Sequence, residues 1–270
     1  MEDEYIDSVM NFTGSKFKLL PQLLKYFDYS KSILIDVFTG GGSIYINNID
    51  KYKKIIINDI ITELIGIHEN LIKSDDIINK TKDLVVKKDE QEKFIELRKS
   101  FNLNKSSEKL WALMLCSTNN MMRFNKKFEY NQTFGKRTWN PNTDKKIDKF
   151  INKVRPYKDK LIFSNKDFSE LEISKDMMVY CDPPYFNTEA GYNAYWSKQK
   201  EEELYNFLLK CDKIGSSFIL SGMINEDKKE SELIKNLIND KFKLIELNYN
   251  YNKVSKKGNK NIKEIIIKNY

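Results

Sequence analysis

The run Ile33-Leu34-Ile35-Asp36-Val37-Phe38 is apolar and β-branched, and it passes through Thr39 into three consecutive glycines, Gly40, Gly41 and Gly42. The chain has only 10 glycines, so the triplet is not a matter of composition. A strand that feeds such a turn lets the backbone bend tightly and lets a ligand approach it closely. A second apolar strand, Ile55-Ile56-Ile57, ends in Asn58-Asp59. An acid about 20 residues beyond a glycine turn is where doubly wound folds hold the hydroxyls of a ribose. Together the two strands point to an α/β fold with parallel strands and a nucleoside ligand. Gly-x-Gly-x-x-Gly is absent, because Ser43 is followed by Ile44 and Tyr45. The reading therefore favours an adenosine-bearing cofactor other than a dinucleotide.

The rest of the chain alternates in the same manner. Leu161-Phe163, Met177-Cys181 and Phe218-Ser221 read as strands, Lys198-Cys211 as a helix, and a further helix lies near Glu232-Ile238. A helix is expected from about Lys18 to Phe27. Two last strands flank Lys256-Lys257-Gly258-Asn259, a hairpin turn in a basic stretch that runs to Lys260. The alternation predicts a mostly parallel sheet with a terminal antiparallel hairpin. Residues 58–158 change character: helical patterns around Ile60-Leu71, Gln91-Phe101 and Lys109-Phe124 precede a polar, aromatic stretch, Asn125-Thr143. The expected organisation is one domain from residues 1–57 and 159–270, interrupted by a mainly helical insertion over 58–158.

Two further motifs carry chemistry. Asp182-Pro183-Pro184-Tyr185 follows the buried strand Met177-Met178-Val179-Tyr180-Cys181 and holds two of the chain's five prolines. Proline fixes its own φ, donates nothing and pushes the preceding residue towards extended backbone. The result is a stiff loop offering only acceptors beside a flat ring, which suits an exocyclic amine on a planar heterocycle. Alone, the tetrapeptide also suits a strand-ending turn capped by Asp182. Phe12-Thr13-Gly14-Ser15-Lys16 opens the first helix, with Gly14 and Ser15 suited to a turn and cap. Lys16 there is placed to meet a carboxylate or to be solvated.

These motifs, in this order, resemble the Dam-type DNA adenine-N6 methyltransferases, in which the cofactor loop comes first and Asp-Pro-Pro-Tyr comes late. The resemblance extends to Asn120-Met121-Met122-Arg123-Phe124-Asn125 with Phe134-Gly135-Lys136-Arg137-Thr138, and to the closing Lys263-Glu264-Ile265-Ile266-Ile267-Lys268-Asn269-Tyr270. It implies a Rossmann-like methyltransferase sheet with an inserted DNA-recognition domain, and S-adenosylmethionine as methyl donor, leaving S-adenosylhomocysteine. Asp182, Pro183, Pro184 and Tyr185 are the implied catalytic group, with the adenine flipped out of the duplex and stacked on Tyr185. Phe12, Gly14, Lys16, Asp36, Phe38, Gly40, Gly42, Ser43, Asp59, Asp167, Phe168 and Asp182 are implied around the cofactor. Within that set Lys16 meets the methionine carboxylate, Asp59 the ribose and Asp167 the cofactor's adenine. Asn119, Asn120, Met121, Arg123, Asn125, Thr133, Lys136 and Arg137 are implied at the DNA. Arg123 is the foremost base reader, because arginine meets guanine O6 and N7 bidentately. Lys136 and Arg137 are expected at phosphates. The implied target is GATC or a relaxed form of it, since Asn11 stands where some relatives have a lysine and Thr133 where many have proline. Methyltransferases of this fold that act on protein amides often have asparagine at the position of Asp182, which argues against that class.

Composition agrees. A formal charge of +7 suits a polyanionic partner, although lysine, asparagine and isoleucine are abundant throughout. Cys116, Cys181 and Cys211 are widely spaced and His68 is the single histidine, so neither a metal site nor a disulfide framework is expected. Cys181 reads as a small core residue and His68 as structural or solvated. No signal peptide or long apolar span is legible, which predicts a soluble cytoplasmic protein of a bacterial or phage-infected cell. The expected partners are double-stranded DNA and a cognate restriction endonuclease of the same system with which it forms no stable complex. Neither membrane nor metal is expected.

Overall fold

The computed structural model describes residues 5–12, 14–184, 196–225, 231–249 and 262–270. Strand β1 (Ile33–Asp36) lies inside the sheet, paired in parallel with β2 (Lys54–Asn58) on one side and with β4 (Met177–Cys181) on the other. Strand β3 (Leu161–Ser164) extends the sheet beyond β2, and β5 (Ser217–Asn225) extends it beyond β4, both in parallel. Strand β7 (Ile262–Lys268) runs antiparallel between β5 and the edge strand β6 (Lys243–Leu247). The full order is β3-β2-β1-β4-β5-β7-β6. The mostly parallel sheet with an antiparallel terminal pair agrees with the sequence reading. The turn expected at residues 256–260 lies outside the described residues.

Side chains leave each strand alternately to the two faces, and both faces are covered. Leu34, Met178, Tyr180, Ile219 and Ile266 join one core. Ile35, Val179, Cys181, Phe218, Leu220 and Ile267 join the other. This is why β4 reads as an unbroken apolar run: all five of its residues are buried. The first core is covered by α2 (Ser43–Asn47), α3 (Thr62–Lys73), α4 (Asp76–Leu84), α5 (Gln91–Leu103), α6 (Ser107–Cys116) and α7 (Pro141–Val154). The second is covered by α8 (Lys198–Ile214) and α9 (Glu232–Asn239).

Several elements differ from expectation. The first helix is three short turns, Phe17–Leu19, α1 (Leu20–Leu23) and Leu24–Tyr26. Pro21 explains the break, because it sits in the first turn of α1 and is tolerated there but not within a longer helix. The helical pattern expected to run on to Phe124 stops at Cys116, where Ser117 is extended. There Gly135 N–H takes the Cys116 carbonyl at 2.8 Å, and the Asn120 amide takes those of Met114 and Leu115 at 3.2 Å. Helices α4 and α7 were not singled out. The start of α7 was legible in principle: Asn140 caps it, accepting from the Asn142 N–H at 3.0 Å, and Pro141 follows at the first position.

From β1 the chain moves outward to β2 and β3; from β4 it moves the other way to β5. The reversal lies between β1 and β4. Open α/β sheets bind their ligands outside the carboxyl ends of the strands at such a point. Here those ends are Asp36 and, just past Cys181, Asp182.

Candidate active site

The turn after β1 is held from several sides. Val37 N–H donates to the Tyr180 carbonyl at 3.0 Å, Thr39 N–H to that of Asn58 at 2.9 Å, and Gly42 N–H to that of Thr39 at 2.8 Å. Gly40 and Gly42 are left-handed, with φ of 50° and 84°, which glycine adopts without penalty. At Gly41 the need is space: a Cβ there would lie 2.8 Å from Cβ of Phe12. The Phe12 ring lies against the turn as well, since a Cβ on Gly40 would lie 2.9 Å from its Cε1. Asp59, buried at the end of β2, accepts from Gly40 N–H and Ile61 N–H, each at 3.0 Å. Burial pushes its carboxyl up, against backbone hydrogen bonds from Ile61, Gly40 and Ile60. Asn58 ties three strand ends together, donating to the carbonyls of Val37 and Lys166 and accepting from Lys166 N–H at 3.1 Å.

Beyond β4, Asp182 meets the buried ammonium of Lys16 at 2.9 Å. Lys16 also donates to the Gly14 carbonyl at 3.3 Å. Burial alone lowers a lysine, yet Lys16 is raised, because Asp182 and the Glu264 carboxylate on β7 outweigh burial. Asp36 is pushed well above the usual carboxylate range, first by burial and then by Asp182 and Asp59. Ser15 joins the first motif to α2 through a 2.9 Å bond between its Oγ and that of Ser43. Pro183 is buried and Pro184 half-buried. Thr13 and Tyr185 lie outside the described residues.

An aromatic wall stands beside β1. The Phe38 ring lies 5.6 Å from Phe168 and 5.7 Å from Trp196, centroid to centroid. Trp196 was not anticipated. Asp167 caps the short turn Phe168–Glu170, and its Oδ2 takes the Lys200 ammonium at 2.8 Å. Burial raises Asp167, but hydrogen bonds from Lys200 and Ser169 outweigh it and hold the carboxyl below its ordinary range.

Residues 117–137 form a braced loop beyond α6. Antiparallel bridges join Ser117 to Phe134 and Phe124 to Tyr130. Met122 and Phe124 are buried and Arg123, between them, is exposed. The Arg123 carbonyl accepts from Asn131 N–H at 3.0 Å. Helix α5 splints the returning arm: the Asn102 amide accepts from Tyr130 N–H at 2.7 Å and donates to its carbonyl at 3.1 Å, and Arg98 donates to the Gln132 carbonyl at 3.0 Å. At the tip, Asn125 Oδ1 accepts from Lys127 N–H and Glu129 N–H, and Phe128 is exposed with φ of 59°. At the base, Gly135 passes so close to Ser117 that a Cβ would lie 2.4 Å from its backbone. Asn119, Thr133, Lys136 and Arg137 are exposed and Met121 is half-buried. Asn120 differs from expectation. It is buried, its amide holds the end of α6, and its Oδ1 accepts from Arg137, so these two brace the loop against each other.

A family profile described as D12 class N6 adenine-specific DNA methyltransferase matches residues 12–253. The chain belongs to this family. Modification methylase StsI of Streptococcus sanguinis is 28% identical over 99% of this chain and 43% of that protein. Type II methyltransferase M.FokI of Planomicrobium okeanokoites is also 28% identical, with the same coverage of 99% and 43%. The DNA adenine methylase of Haemophilus influenzae is 26% identical over 69% of this chain and 67% of that protein. The chain thus spans less than half the length of the first two relatives.

Membership of the D12 family implies S-adenosylmethionine as the methyl donor, and residues at this end of the sheet fit that group. Asp36 lies close enough to Asp182 and Asp59 to feel both charges, which makes this end of the sheet acidic. A carboxylate has about four acceptor positions, and the backbone N–H groups of Gly40, Ile60 and Ile61 that bond Asp59 leave it able to accept from a hydroxyl. Among the described residues of the methyltransferase, no group of three or more His, Cys, Asp or Glu is placed to hold a metal ion, and no helix is long and apolar enough to cross a membrane. All three cysteines are free and buried. Trp196, Asn58 and His68 are the residues at this end of the sheet that sequence reasoning missed. Asn58, directly before the predicted Asp59, was the most accessible of them.

Proposed function

We propose that this D12 methyltransferase methylates the exocyclic amine of an adenine flipped out of duplex DNA, within GATC or a relaxed form of it. The observation behind this reading is the Asp182–Lys16 ion pair at the reversal point of the sheet, on a motif whose Phe12 and Ser15 lie against the glycine turn and α2.

When bound, the cofactor supplies a methyl group on a sulfonium. Asp59 would hold its ribose hydroxyls, Lys16 its methionine carboxylate, and the Phe38, Phe168 and Trp196 wall its adenine. Asp182 and the Pro183 carbonyl accept the two amine hydrogens of the target. That draws the nitrogen lone pair out of conjugation and aims it for an in-line displacement. Lys16 fixes the Asp182 carboxylate, so the acceptor needs no reorganisation as charge develops. Catalysis on this account is positioning plus electrostatics. Tyr185 stacks on the flipped base, an interaction worth about 1–3 kcal/mol.

Residues 1–57 and 159–270 act as the catalytic part and 58–158 as the target-recognition part, with Arg123 reading a guanine. Asn119, Met121, Asn125 and Thr133 lie along the same loop, and Lys136 and Arg137 meet phosphates. The names of the relatives favour a restriction-modification setting, with a cognate endonuclease acting on the same sequence, in the cytoplasm.

Asn11 and Thr133 favour a second reading, a site that departs from GATC at its outer base. The Asn11 side chain accepts from Lys146 of α7 at 2.8 Å, so that corner carries a lysine from elsewhere in the chain.

The test is Asp182→Ala assayed for methyl transfer and for duplex binding. Transfer is expected to fall at least about 100-fold with DNA affinity retained. Turnover near that of the wild type contradicts the proposed role.

A further inference from the structure

Helix α3 brings His68 to the glycine turn, where it is fully buried. Its Nε2 lies 2.9 Å from the Gly40 carbonyl. A carbonyl only accepts, so Nε2 carries the proton. Nδ1 is then an acceptor, and the Tyr45 hydroxyl donates to it at 2.9 Å. The two rings meet edge-on with centroids 5.4 Å apart. They also close the space over the turn: a Cβ on Gly42 would lie 2.4 Å from Tyr45 and 2.9 Å from His68.

The hydrogen bond falls on one particular residue. Gly40 gives its N–H to Asp59 and receives His68 at its carbonyl, so both its polar groups are fixed from outside the turn while it holds a φ of 50°. We infer that His68, with Tyr45 behind it, is a positioning residue for cofactor binding, setting the glycine turn and, through Gly40, the Asp59 carboxylate. A histidine that merely tied α3 to a loop could have bonded any exposed carbonyl. This one bonds the residue that orients the acid. Burial pushes His68 down to about 4, so a single neutral tautomer makes both bonds across the physiological range. The inference rests on the reading that this turn and Asp59 hold the cofactor.

The test uses the full chain and four variants, His68→Leu, His68→Gln, Tyr45→Phe and Asp59→Ala, each checked for folding by circular dichroism. For each, KM for S-adenosylmethionine, KM for duplex DNA and kcat are measured, together with calorimetric Kd for S-adenosylhomocysteine. His68→Leu is expected to raise both cofactor constants about tenfold, the equivalent of one lost hydrogen bond. kcat at saturating cofactor and KM for DNA stay within about twofold. His68→Gln, whose amide N–H reaches towards the same carbonyl, restores most of the loss. Tyr45→Phe shows the same pattern at a few-fold.

Cofactor constants at the wild-type level in His68→Leu overturn the inference, as does a loss spread equally over cofactor and DNA. If His68→Leu does not fold, His68→Gln and Tyr45→Phe decide: a wild-type cofactor Kd in Tyr45→Phe, or a loss in His68→Gln as large for DNA as for cofactor, overturns it. Asp59→Ala separates the two levels. Should it bind S-adenosylhomocysteine like the wild type, the cofactor reading itself fails. Should it lose binding while the His68 variants keep theirs, only the positioning role fails.

Discussion

Asp182 and Lys16 are 2.9 Å apart with 19% and 5% of their side chains exposed. A pair this enclosed is costly to break from one side, because the surviving charge loses its partner. Lys16→Met, which keeps the apolar stem, is expected to lower stability by about 3 kcal/mol in urea denaturation. Combining it with Asp182→Asn should recover part of that, since the Asp182 charge is then removed as well while that of Glu264 remains. A Lys16→Met chain as stable as the wild type contradicts this account. His68 gives a second prediction, and its sign is fixed. The folded value near 4 lies below the ordinary 6.5, so the unfolded chain takes up the proton first as pH falls. The contribution of His68 is intact above about pH 6.5 and is lost on acidification, by about 3 kcal/mol at pH 4. Asp36 and Asp59 are shifted upward and so act in the opposite sense. They are common to both chains when wild type is compared with His68→Gln, and cancel. The wild-type curve should fall relative to that of His68→Gln as pH drops from about 6.5 to about 4; parallel curves contradict the buried neutral state. Asp59, Asp182 and the glycines were legible because each follows a recognisable strand or proline signal. The Lys16–Asp182 and His68–Gly40 pairings were not, because only the assembled sheet brings those segments together.

At the scale of elements, the loop over residues 117–137 is the informative case. The sequence marks Arg123 and the Phe134-Gly135 pair but gives no period, since its order comes from single bonds to α5 and α6 rather than from a repeat. The same bonds end α6 early, where an apolar pattern read alone continues to Phe124. They also separate the residues proposed as readers from those that brace the loop. Asn120 is indistinguishable from Asn119 by residue type, yet one is buried and bonded and the other is exposed. Arg123→Ala should relax discrimination at one base pair by about 1–3 kcal/mol in competition binding, with affinity for unrelated duplexes unchanged. Equal weakening on every sequence identifies Arg123 as a phosphate contact instead.

Across the whole molecule, the parallel strands were readable from apolar runs punctuated by glycine, proline and acid, and the terminal antiparallel pair from its turn residues. What the sequence could not disclose is that helices of the 58–158 segment share one core with the sheet. Phe150 and Val154 of α7 and Ile65 and Ile72 of α3 pack with Leu34, Ile55 and Ile57. Apolar periodicity marks a buried face without naming what it packs against. That shared core joins the loop proposed to face DNA to the reversal point between β1 and β4, and the proposal depends on both acting on one adenine. The most direct test is long-read sequencing of plasmid DNA from cells lacking their own adenine methylase, expressing either the wild-type chain or Asp182→Ala. The account predicts N6-methyladenine confined to GATC, or to sites differing from it only at the outer base, and none with Asp182→Ala. Modified adenines at unrelated sequences, or wild-type levels in the variant, contradict it.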